Sequence, residues 1–69
     1  MNASMTATVQ RLPFELADLR LLPFEDAKRT LSLFEWLAEF VMHWPGTATP
    51  EESRLLLDSI AVLQEVIEA

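Results

Sequence analysis

The chain has 69 residues, of which 51% are hydrophobic, and it carries a formal net charge of −6 and no cysteine. A chain of this length forms one domain at most, and domains this small usually need disulfides, a metal or oligomerisation for stability. Without cysteine there are no disulfides, and a single histidine cannot build a structural zinc site. Oligomerisation is therefore the expected support, and a reducing compartment such as a bacterial cytoplasm is the expected location.

The composition also argues against several classes of protein. The chain is too apolar for a disordered acidic segment. Its five basic residues are dispersed among eleven acidic ones, which disfavours binding to nucleic acid or to an anionic membrane surface. No apolar run approaches the ~18 residues of a membrane span, and the first residues lack the basic and apolar regions of a secretory signal.

The first part of the chain contains a short repeat, since Leu12-Pro13-Phe14-Glu15 recurs as Leu22-Pro23-Phe24-Glu25. Two short copies are too few for a repeat protein, and the simpler interpretation is two helical starts, each initiated by a proline. We therefore expect a short helical turn over residues 13–20. Residues 1–12 are expected to be mobile.

A first long helix is predicted over residues 23–44, because Pro23 suits the first helical position and Pro45-Gly46 cannot continue a helix. Its apolar residues form two adjacent seams, which together with Trp36 cover more than half of the helix circumference. One neighbouring helix cannot cover so wide a face. Contact with the second helix on one side and with another chain on the other is expected. The seams are Ala27, Leu31, Phe34, Ala38 and Val41, and Leu33, Leu37, Phe40 and Trp44.

A second helix is predicted over residues 50–68, after a turn at 45–49. Thr49, Pro50 and Glu52 form a capping-box pattern with proline at the first helical position. One apolar stripe follows, made of Leu56, Ile60, Leu63 and Ile67 and flanked by Leu55, Ser59, Val62 and Val66.

The predicted fold is all-α: an antiparallel helical hairpin with a short N-terminal helical segment, dimerising into a four-helix core. The short turn makes the helices antiparallel neighbours, and two-fold pairing is the commonest symmetry for a second copy. The residues expected in the core or dimer contacts are Leu31, Phe34, Leu37, Val41, Leu56, Ile60, Leu63 and Ile67.

Nothing in the sequence indicates an enzyme, a cofactor or a metal site. The serines lack a nucleophile motif, and one glycine cannot make a phosphate-binding loop. Glu39 and His43 lie four residues apart and share one helix face, so a dimer could bring four such ligands together. A solvated pair near a helix C-terminus is the preferred interpretation.

Protein binding is the remaining mode of action, and aromatic and arginine side chains dominate the energetics of protein interfaces. The candidate partner-binding residues are Phe14, Leu19, Arg29, Trp36, Phe40 and Trp44. The three aromatic residues of the first long helix, Trp36, Phe40 and Trp44, have an alternative role in the core or the dimer, which is favoured for Phe40 and evenly balanced for Trp36. The Phe14–Leu19 stretch either packs over the hairpin or reaches a partner. Arg29 and its neighbour Lys28 either balance Glu25 and Asp26 or meet an acidic target rim.

The whole chain resembles the small anti-quorum-sensing (anti-activator) proteins of pilus-dependent bacteriophages. The resemblance rests on the length, the apolar helix over residues 31–44, the Pro45-Gly46 turn and the acidic balance. It implies a homodimer in the host bacterial cytoplasm that inhibits a LuxR-type quorum-sensing transcription activator. It implies a second target, the assembly ATPase of the type IV pilus, whose inhibition would give superinfection exclusion.

Other functions stay open at this point. The chain could be a helical structural or assembly subunit, or a helical-hairpin adaptor. A hairpin dimer that binds nucleic acid is a further alternative, against which the net charge argues.

Overall fold

The computed structural model describes residues 14–69, and this part of the chain is entirely helical. Helix α1 spans Leu16–Leu19, α2 spans Phe24–His43 and α3 spans Pro50–Glu68, with a 3-10 turn at Pro45–Thr47 between α2 and α3. The two long helices pack against each other, so the prediction of an all-α fold is confirmed. The predicted mobility of residues 1–12 lies outside the described residues.

Helix α2 lies one residue inside each predicted bound. Pro23 is the N-cap instead of the first helical residue, because its extended backbone (φ −59°, ψ 154°) precedes the helix. Glu25 and Asp26 occupy the first turn, where their charge is favourable against the helix dipole. The helix ends at His43, and Trp44 leaves the helical region (φ −131°, ψ 75°) immediately before Pro45.

Helix α3 begins with the predicted capping box. The Thr49 hydroxyl accepts a hydrogen bond from the Glu52 backbone N–H at 3.0 Å, and the Glu52 carboxylate accepts one from the Thr49 N–H at 2.8 Å. Pro50 stands at the first helical position. Two backbone donors that a helix start leaves unpaired are thereby satisfied.

The core is small and lies at the end of the hairpin away from the turn. Its four buried apolar residues come from all three helices: Leu19 from α1, Ala27 from α2, and Val62 and Leu63 from α3. A larger ring of half-buried residues packs against these four, consisting of Phe14, Leu16, Leu22, Leu31, Phe34, Val66 and Ile67.

The packed face of α3 is displaced from the predicted stripe. Of the four stripe residues only Leu63 is fully buried, whereas Leu56, Ile60 and Ile67 are half-buried. The flanking residues Ser59 and Val62 are buried instead. The side of α3 that faces the other helices therefore includes Ser59 and Val62. A hydrophobicity pattern does not predict this side, because it does not select a serine as a buried residue.

Candidate functional site: an exposed aromatic stripe on α2

The two seams of α2 have different surroundings. In the first seam Ala27 is buried, and the other four residues are half-buried. In the second seam only Leu37 is half-buried, and the other three residues are exposed. The predicted packing of one apolar side of this helix within the chain agrees with this arrangement, and the predicted contact of the other side with another chain stays a prediction.

The exposed residues form one continuous surface, which we call the aromatic stripe: Leu33, Trp36, Phe40 and Trp44. Their side chains are 52%, 64%, 43% and 57% exposed, respectively. At about 100° and 1.5 Å per residue, Leu33, Trp36 and Phe40 lie within an arc of roughly 60° and extend over roughly 10 Å of the helix. Trp44 follows the helix, and its ring lies against that of Phe40. The stripe is therefore narrow enough to face a single partner.

The turn end of the stripe is fixed by backbone hydrogen bonds. The Trp44 N–H donates to the Phe40 carbonyl at 3.0 Å. The Trp44 carbonyl accepts from the Thr47 N–H at 3.0 Å and from the Thr47 hydroxyl at 2.8 Å. The rings of Phe40 and Trp44 lie 4.9 Å apart and tilted by 34°, within the range of favourable aromatic pairs. The two rings thus form one apolar surface at the turn end of the stripe.

Charged side chains lie beside the stripe and also in line with it towards the start of α2, where Arg29 precedes Leu33 by one turn. Glu39 and His43 are 3.9 Å apart, and both are mostly exposed. Arg29, one turn before Leu33, lies 3.3 Å from Asp26 and is 79% exposed. Lys28 pairs with Glu25 at 3.9 Å and stands over the Phe24 ring at 5.1 Å. The predicted balance between the basic pair and the acids of the first turn is therefore present in the structure.

Phe14 and Leu19, the two candidate residues that precede α2, pack against the core and lie outside the stripe. Leu19 is only 5% exposed and belongs to the core, so its assignment to a free partner-binding surface is wrong for this structure. The Phe14 ring stacks on Phe34 with centroids 5.8 Å apart. Of the two roles considered for the Phe14–Leu19 stretch, the structure shows packing over the hairpin, where these residues contact apolar side chains of the two long helices.

Three buried residues, Ala27, Ser59 and Val62, were not among the residues predicted for the core, the dimer or the site, and Ser59 is the only polar one of the three. Ser59 has no exposed surface, and its hydroxyl donates to the Leu55 carbonyl one turn earlier at 2.7 Å. The hydroxyl thus needs no partner across the helix interface. A small residue among apolar neighbours is the only sequence signal for such a position, and it is weak.

Exposed apolar residues outside the stripe are Leu21, Phe24, Met42 and Leu57. Met42 points about 120° away from Trp36 on α2, and Leu57 is on α3. They serve below as matched controls, because single exposed apolar residues are common on protein surfaces.

Within residues 14–69, no three potential metal-ligating side chains come together. Over the same range, none of the helices combines the length and apolarity needed to cross a bilayer.

Comparisons with known proteins give no family assignment: no family model, curated protein or solved structure matches the chain.

Proposed function

We propose that this chain is a phage-encoded, homodimeric, protein-binding inhibitor of a host LuxR-type quorum-sensing transcription activator. The observation that carries the protein-binding part is the aromatic stripe, with two tryptophans and a phenylalanine exposed on one side of α2. The class of target comes from the resemblance to phage anti-activator proteins.

The stripe has the properties of a protein-binding surface. Contiguous exposed apolar surface is costly in water and commonly marks an interaction site. Tryptophan is the residue most enriched among interface hot spots. Because α2 is packed along its opposite face, its aromatic residues are already held in place, and a partner loses less entropy when it binds.

The net charge of −6 is compatible with the proposed target. A transcription activator needs a basic surface to bind DNA, and opposite charges accelerate encounter between two proteins. Charge would then favour approach, and the stripe would supply the affinity. The assembly ATPase of the type IV pilus is proposed as a second target on the resemblance alone.

A homodimer is proposed because the described fold has little enclosed interior. Seven of the eight residues predicted for the core or dimer are half-buried, and only Leu63 is fully buried. A second copy that covers the half-buried apolar residues at the turn end, such as Val41, Leu56 and Ile60, would complete a four-helix core. The stripe would then stay free for the target.

The test measures mass and binding together. Multi-angle light scattering of the purified chain is expected to give twice the monomer mass of 7.9 kDa. Calorimetry with a purified LuxR-type activator is expected to show binding, and a gel shift is expected to show loss of the activator from its DNA site.

Absence of binding to the activator at micromolar concentrations would exclude this target, and a monomeric mass would exclude the dimer. A dimer that dissociates in the Trp36→Ala variant would show that the stripe is the dimer interface instead of the target site.

A further inference from the structure

We propose that residues 14–22 form a displaceable cover over an apolar groove, and that a leucine-bearing helical turn of the target protein can replace it. The cover consists of α1 with the residues on either side of it. The opening of the cover is a property of the free chain, whereas the identity of the replacing segment rests on the proposed function.

The cover occupies an apolar surface on α3 and the first half of α2. Leu19 inserts into the core with Val62 and Leu63, and Phe14 stacks on Phe34. Removal of the cover would expose these neighbours as a groove. Phe34 points about 100° away from Leu33 around α2, so the opened groove would be an apolar surface separate from the stripe.

Apart from its apolar contacts with the core, little holds the cover in place. Helix α1 has four residues, far fewer than the ~12–15 that an isolated helix needs in water. Its turn hydrogen bonds are internal, such as those from Arg20 N–H to the Ala17 carbonyl and from Leu21 N–H to the Asp18 carbonyl.

Among the described residues, one polar side-chain contact joins the cover to the helices. Arg20 donates to Glu65 at 2.8 Å, and both side chains are more than half exposed. Exposed pairs of this kind contribute little to stability.

The cover itself shows what the groove accepts. Leu16 and Leu19 are three residues apart and lie on the same side of the short helix, and Arg20 follows to pair with Glu65. A partner segment with two leucines three apart and a basic residue after the second would make the same contacts. Binding of an amphipathic helical segment in an apolar groove is a recurring mode of recognition.

Hydrogen exchange measured by NMR on the full chain tests the opening. The backbone amides of Arg20, Leu21 and Leu22, which are hydrogen-bonded within the cover, should exchange at least tenfold faster than the amide of Leu63, because local opening precedes global unfolding. Exchange at the same rate as Leu63 would overturn the proposal.

A charge-reversal series connects the opening to the ion pair. Arg20→Glu places two carboxylates together and should speed exchange of the cover amides by about two- to fivefold. The double variant Arg20→Glu/Glu65→Arg should restore the original rate. If neither variant changes the exchange of the cover amides, the ion pair does not hold the cover.

A synthetic peptide with the sequence of residues 14–22 tests the replacement without the activator. Added to the full chain, it should shift the NMR signals of Val62 and Leu63. Its apparent affinity for the Arg20→Glu variant should rise by the same factor as the exchange rate, because the accessible fraction of the groove sets the apparent affinity.

An absence of shifts at Val62 and Leu63, or equal affinity for the two chains, would overturn the replacement. Neither outcome depends on the activator, so this proposal and the proposed function can fail separately.

Discussion

The two long helices are nearly equal in length, at 20 and 19 residues, yet they expose very different amounts of apolar surface. Helix α3 exposes one large apolar residue, Leu57, and contributes three buried residues. Helix α2 contributes only Ala27 to the buried set. Five of its large apolar residues are exposed, and Trp44 extends that surface beyond its C-terminus.

This difference suggests a division of roles within one hairpin. Substitutions on the packed side of α3 should change the free energy of unfolding, whereas substitutions in the aromatic stripe of α2 should change binding. The predictions below test this division, in order of decreasing expected effect.

The largest change in the free energy of unfolding is expected from substitution of Leu63, which has no exposed surface. Leu63→Ala removes buried methyl groups and leaves a cavity, which typically costs about 2–5 kcal/mol of stability. Thermal and urea denaturation followed by circular dichroism would measure the loss. Leu57→Ala on the same helix is the control and should change stability by less than about 0.5 kcal/mol. Equal effects of the two variants would contradict the division.

The second prediction concerns Trp36, the most exposed residue of the stripe at 64%. Trp36→Ala should weaken target binding by about 2 kcal/mol or more, which is roughly 30-fold, and should leave the melting temperature nearly unchanged. Calorimetry with the activator measures the affinity. Met42→Ala is the matched control on the same helix, at 75% exposure, and should bind normally. A comparable loss of affinity in Met42→Ala would remove the stripe from consideration as the binding surface.

The third prediction uses the enclosed position of Ser59. Ser59→Leu replaces the hydroxyl by a larger branched group, a net gain of two heavy atoms, where no surface is exposed, and overpacking of this kind costs about 1–3 kcal/mol. Ser59→Ala, which adds no volume, is the comparison and should stay within about 1 kcal/mol of the original chain. An unchanged denaturation midpoint for Ser59→Leu would show that the helices are not closely packed at this position.

The smallest change in stability is expected from substitution of Thr49, the residue that caps the start of α3. Thr49→Ala removes the hydroxyl that accepts from the Glu52 N–H and should cost about 1 kcal/mol. Thr49→Ser keeps the hydroxyl and should retain the original stability. Denaturation of both variants separates loss of the cap from other effects of substitution, and equal destabilisation by Ala and Ser would argue against the capping role.

The sequence predicted the bounds of the two long helices well, because the residues that start and stop a helix act on the backbone next to them. Pro23, Pro45 and Thr49 limit the long helices through their own backbone geometry and hydrogen bonds, and the observed bounds differ from the predicted ones by at most one residue.

Packing was harder to predict, because it depends on which residues meet. The burial of Ser59 and Leu19 follows from how α1 and α2 lie against α3, and no periodicity in a single helix contains that information. The stripe was predictable in outline, since two adjacent seams on one helix exceed what one neighbour can cover. Its limits depend on how far each side chain is exposed in the folded chain.

The glycine of the turn has a practical consequence for experiments on this molecule. Gly46 does not adopt a positive φ, and a Cβ placed there would have nothing within 4 Å. Gly46→Cys should therefore fold normally and would introduce the only thiol into a chain without cysteine. A fluorophore attached there, two residues from Trp44, would report the arrival of a partner at the end of the stripe as a change in its emission.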